Sequence, residues 1–140
     1  MGMDLDNIVL KGRLYKEYRD VLKGLEDDFE FFITLTFKRK INNLDQGWNV
    51  ISKFRLLLDK YGFDDIKGYV VGERSEFGLI HFHCLLYNCK DGFSDVLKLK
   101  WGVYNGMVDV KVFEKGKGGE EYILKGYMNN EFSMLNWEVL

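Results

Sequence analysis

Leu79-Ile80-His81-Phe82-His83-Cys84-Leu85-Leu86 carries both histidines of the chain inside one apolar stretch. Apolar residues in a run of this length read as a β-strand. Successive side chains of a strand point to opposite faces, so His81 and His83 project to one side and Ile80, Phe82 and Cys84 to the other. Just upstream, Gly68-Tyr69-Val70-Val71-Gly72-Glu73 is a second strand-like stretch, separated by the turn Ser75-Glu76-Phe77-Gly78. A hairpin of the two brings the Glu73 carboxylate beside both imidazoles. One histidine in an apolar strand is usually a hydrogen-bonded core residue. Two on one face with a carboxylate beside them place three polar groups together, each costing roughly 1–3 kcal/mol if buried unpaired. A metal site uses all three.

Working outward, residues 10–25 read as an amphipathic helix, with Leu14, Tyr18, Val21, Leu22 and Leu25 at helical spacing. Residues 31–37 alternate as a half-buried strand does, with Phe32, Thr34 and Thr36 on one face. A helix is expected from Asp45 as N-cap to residue 61, with Trp48, Ile51, Phe54 and Leu58 as its apolar stripe and Gly62 as its stop. Residues 66–74 and 79–87 form the hairpin. Ser94 is placed to cap a short helix ending at residue 99, and residues 107–113 read as a fourth strand. Gly116-Lys117-Gly118-Gly119 is then a loop before a last helix over 120–130. The order α-βαββαβ-α predicts an α+β fold: a ferredoxin-like or RNA-recognition-like antiparallel sheet with helices on one face, plus an extra helix at each end. With strands 31–37 and 79–87 at its centre, Thr34, Thr36, His81 and His83 share the open face. Tyr122 and Lys125, three apart, are neighbours on the surface of the last helix.

Composition bounds the rest. With 46% hydrophobic residues, including 11 Phe, 8 Tyr and 3 Trp, 140 residues can bury one core of ordinary domain size. A single domain over 1–140 is expected, with its core at about 28–130 and a tail over 131–140. No apolar run approaches the roughly 18 residues that cross a bilayer, and no secretory leader is evident, so the expectation is an intracellular protein without a membrane partner. Cys84 and Cys89 are read as reduced thiols. A zinc site with the histidines is disfavoured, because Cys84 faces away from them and the spacing fits no zinc module. The net charge of −2 is not that of a nonspecific nucleic-acid binder. Basic residues nevertheless cluster at Lys38-Arg39-Lys40, at Lys98 and Lys100, and at Lys115, Lys117 and Lys125.

Three motifs, in order, resemble those of the HUH endonucleases, specifically the single-tyrosine Rep proteins that initiate rolling-circle replication of plasmids and single-stranded DNA viruses. Phe32-Ile33-Thr34-Leu35-Thr36-Phe37 is similar to the family's first motif, His81-Phe82-His83 to its metal motif, and Tyr122-Ile123-Leu124-Lys125 to its nucleophile motif. Glu73 stands where many members keep a third ligand. The resemblance covers about residues 31–128. It implies that His81, His83 and Glu73 hold one Mn²⁺ or Mg²⁺, which polarises the scissile phosphate. Tyr122 would be the nucleophile and form a 5′-phosphotyrosine bond. Lys125 would either lower the phenol's pKa from its ordinary value of about 10 or stabilise phosphate charge. Tyr127, about 140° around an ideal helix from Tyr122, is the alternative nucleophile. Thr34, Thr36, Lys38, Arg39, Lys40 and Arg74 are the candidate DNA contacts. The implied partners are single-stranded DNA at an origin hairpin and a helicase, in the cytoplasm of a prokaryotic host or the nucleus of a eukaryotic one. Two other readings stand beside this one: an HUH single-tyrosine transposase, and a noncatalytic module of the same architecture that binds single-stranded nucleic acid.

Overall fold

Strand, helix and hairpin follow the expected order in the structure, a computed structural model that describes residues 16–39, 41, 43–74, 79–118 and 132–140. Residues 16–24 form α1. They are followed by β1 (Phe31–Leu35), α2 (Leu44–Lys60), β2 (Lys67–Arg74), β3 (Ile80–Tyr87), α3 (Phe93–Tyr104), β4 (Val108–Val112) and β5 (Phe132–Asn136), with a closing 3₁₀ turn at Trp137–Val139. All strand pairings are antiparallel, in the order β4-β1-β3-β2-β5. The fold is therefore α+β, and its first four strands are compatible with a ferredoxin-like arrangement.

Several boundaries differ from the sequence reading for local reasons. Asn43, not Asp45, caps α2: its side-chain oxygen accepts from the Gln46 N–H at 2.8 Å. Asp45 sits in the first turn, where its charge meets the positive end of the helix. Nor does Ser94 cap α3. That helix starts after Gly92, in the left-handed region at φ 86° with no side-chain cap, and runs beyond residue 99 to Tyr104. The stretch expected as a tail supplies β5, which pairs along β2 from Tyr69–Asn136 to Glu73–Phe132. Its sequence, Phe-Ser-Met-Leu-Asn, has too little alternation to announce a strand. The last expected helix, with Tyr122, Lys125 and Tyr127, lies outside the described residues, as do Lys40 and the turn 75–78.

The main core fills one face of the sheet. Ile33, Leu35, Val70, Ile80, Phe82, Cys84 and Leu86 meet Ile51, Phe54 and Leu58 of α2 and Phe93, Leu97 and Trp101 of α3. Phe82 packs edge-on against Trp48 with ring centroids 4.8 Å apart. Gly72 makes that possible, because a Cβ there would come within 2.7 Å of the Phe82 ring. A smaller cluster occupies the opposite face, where fully buried Leu22 of α1 covers Val71 and Leu85 together with Phe29. Part of the face expected to be open is thus covered by α1. Among the described residues no helix is long and apolar enough to cross a membrane.

Candidate metal centre

Register decides which polar side chains meet. Glu73 lies directly across from His81 on the β2–β3 pair, Val71 lies across from His83, and on the other side of β3 His83 faces Thr34 of β1. Directly paired residues point to the same face, so all of these side chains share the face opposite α2 and α3. The His81 Nε2 atom is 2.7 Å from Glu73 Oε1, and His83 Nε2 is 3.1 Å from the same oxygen. The two imidazoles are nearly perpendicular, at 82°, with centroids 4.9 Å apart. His83 is buried at 4% exposure, whereas His81 and Glu73 are half-buried and keep an opening to solvent. Phe32 lies beside His83 on the β1 side, at 5.7 Å between centroids.

The electrostatics follow from the same contacts. Hydrogen bonds from His81 and then His83 hold the Glu73 carboxyl at about 2, against the opposing effect of burial. Glu73 is therefore an anion throughout the neutral range, set between two imidazoles that both aim Nε2 at it. His83 Nδ1 is 3.1 Å from Thr34 Oγ1. A hydroxyl both donates and accepts, so this bond serves either histidine tautomer. When His83 Nε2 is a ligand, Nδ1 carries the proton and donates to Thr34, which fixes the ring for coordination.

Glu73, His81 and His83 offer three ligand atoms, all within 4.8 Å of one another, and they are the one such group of three among the described residues. Two imidazole nitrogens and a carboxylate oxygen suit a divalent first-row cation, and a cation takes the place of the protons that now bridge the trio. The group can hold a metal ion. No protein-family model, no characterised protein and no solved structure matches this chain.

Of the candidate DNA contacts among the described residues, Thr34 is the one drawn into this centre. Thr36 lies one residue past the last β1–β3 pair, Leu35–Phe82. Its hydroxyl donates to the Met107 carbonyl at 3.3 Å, and its carbonyl accepts from the Trp101 indole at 2.9 Å. Lys38 and Arg39 are exposed beyond it, and the Lys38 ammonium reaches the Val103 carbonyl at the end of α3, 3.5 Å away. Arg74 follows Glu73 on β2 and so projects to the opposite face. Cys84 lies in the main core, away from both histidines, and both cysteines are free thiols. Burial pushes the pKa of each cysteine up, which makes both poor nucleophiles.

The sequence reading missed a groove. Phe32, Thr34, His83, Lys111, Phe113 and Lys117 line a cavity of about 830 Å³ that runs from His83 toward β4. Lys111 sits within a strand and Phe113 just past its end, so neither belongs to a local pattern. Only the pairing of β4 with β1 brings them beside the histidine strand.

Proposed function

We propose that this chain is a metal-dependent endonuclease that nicks and rejoins single-stranded DNA through a covalent tyrosine link, as a rolling-circle replication initiator does. The observation that carries the reading is the convergence of Glu73, His81 and His83 on one point of a sheet face that opens into a groove. Two described positions support a nucleophile within residues 119–131, the segment that holds Tyr122 and Tyr127. Gly118 lines the groove that His83 also lines, and Phe132 pairs with Glu73, so both ends of that segment stand on the side of the sheet's metal centre and groove.

A bound divalent ion, Mn²⁺ or Mg²⁺, supplies Lewis-acid polarisation of the scissile phosphate. Glu73, His81 and His83 would hold it, and Thr34 fixes the His83 ring. Tyr122 Oη attacks phosphorus in line, the bond to the 3′ oxygen breaks, the phenol releases its proton, and the 3′ oxygen takes one up. A phosphotyrosine and a free 3′-hydroxyl result. The new ester resembles the one it replaces, so the reverse attack by a 3′-hydroxyl rejoins strands without ATP. Lys125 assists by lowering the phenol's pKa or by neutralising phosphate charge. On this reading the substrate is single-stranded DNA at an origin hairpin, and a helicase is the natural partner. A transposase of the same superfamily would share every step.

The groove favours a second reading. Phe32 and Phe113 beside Lys111 and Lys117 combine ring faces for bases with cations for phosphates, which a noncatalytic single-strand binder also uses. Incubation with origin-like single-stranded oligonucleotides and Mn²⁺, read by denaturing gel and intact mass, separates the two. The nuclease reading expects a protein–DNA adduct that is lost with EDTA, in His81→Ala and in Tyr122→Phe. Binding without any adduct supports the second reading. An adduct that survives in Tyr122→Phe moves the nucleophile to Tyr127.

A further inference from the structure

β4 is the outermost strand on its side of the sheet, and among the described residues nothing pairs with its outer edge. Its backbone phase is fixed by its inner neighbour. The Thr36 N–H donates to the Met107 carbonyl at 3.0 Å, and the Phe113 N–H donates to the Glu30 carbonyl at 2.8 Å. Hydrogen-bonded positions alternate along an antiparallel pair, so the odd residues from 107 to 113 direct their backbone groups to β1. Val108, Val110 and Val112 therefore turn theirs outward.

The sequence of this edge, Val108-Asp109-Val110-Lys111-Val112, is symmetric about Val110 except that its two charges have opposite sign. We propose that β4 pairs antiparallel with β4 of a second copy of this chain, centred on Val110. In that register Val110 meets Val110, and Val108 meets Val112, as hydrogen-bonded pairs whose phase matches the outward-facing groups. Asp109 meets Lys111 twice, at the closer positions where side chains interact most strongly. Sliding the centre by one residue places Asp109 against Asp109 or Lys111 against Lys111, which is repulsive. Charges on an edge ordinarily discourage pairing with any passing strand. Here they admit one partner in one register. Asp109 and Lys111 are exposed, and their mutual contact within the strand is loose at 3.6 Å, so both can exchange partners. Val112 and Met107, 73% and 78% exposed, lie at the ends of the contact and gain cover.

The two-fold axis of such a pair stands perpendicular to the sheet. Asp109 shares its face with Thr34 and His83, so both candidate metal centres would open on the same side of one continuous sheet. Their β3 strands would be five strand spacings apart, about 24 Å.

Sedimentation equilibrium on the full chain tests the pairing. The expected result is a concentration-dependent dimer for the unaltered protein, and association at least about tenfold weaker for Asp109→Lys and for Lys111→Asp alone. Mixing the two variants should restore the dimer, because the paired lysines of the first then face the paired aspartates of the second. Restoration also shows that each variant is folded. A monomer for the unaltered protein at several hundred micromolar overturns the proposal. So does a dimer indifferent to either reversal, or a mixture of variants, each folded by circular dichroism, that stays monomeric. None of these outcomes bears on the Glu73, His81 and His83 centre.

Discussion

On β3, Ile80, Phe82, Cys84 and Leu86 enter the layer made with α2 and α3, while His81 and His83 point the other way into a centre only half closed. The two faces are built from alternate residues of the same strands, yet among the described residues one is sealed by α2 and α3 and the other is covered in part by α1. Their sensitivities should therefore separate: residues of the first face hold the fold together, and residues of the second determine what it binds.

The largest expected effect lies on the sealed face. Phe82→Ala empties a fully buried site against Trp48 and Phe37 and should cost about 3–5 kcal/mol in urea denaturation. His81→Ala, at the adjacent position but on the open face, should cost about 1–2 kcal/mol while abolishing metal uptake. Equal stability losses for the two variants would break the comparison.

Glu73→Gln keeps the shape of the side chain and removes its charge. Calorimetric titration with Mn²⁺ should show affinity falling by more than about 100-fold, with the fold retained. Thr34→Val should weaken the same binding by about 10–100-fold through loss of the His83 Nδ1 partner, and Thr34→Ser should restore it. If valine and serine bind alike, Thr34 does not position the ring.

The smallest effect is a pH dependence of the metal-free protein. Glu73 has a lower pKa folded than unfolded, so its contribution to stability is complete above its ordinary value near 4.5 and is lost as pH falls toward about 2. Urea denaturation of the wild type and Glu73→Gln should differ above that range and converge within it. A difference that stays constant down to the acid limit would remove the two histidine hydrogen bonds as its source.

Legibility in the sequence followed the range of the physics involved. The hairpin and its trio could be read because a period of two and a turn fix which neighbours meet. Asn43 was missed as the cap because Asp45, also a good capping residue, stands two positions further on. β5 was missed because its pairing partner, β2, lies about sixty residues away, and its own five residues carry no strand signal. Thr34 was read as a DNA contact because its face was known and its partner was not. The β1–β3 register turned it toward His83.

By itself, the sequence determined the order of elements from α1 to β4, the face on which His81 and His83 lie and the carboxylate that joins them, because alternation and short turns act within a few residues. Only the tertiary structure decided that α1 covers part of that face, that Thr34 holds His83, that Lys111 and Phe113 line its groove and that, among the described residues, β4 ends the sheet. Those outcomes depend on which distant strands pair and in which register, and the free energy that selects them comes from burying both faces of the sheet at once.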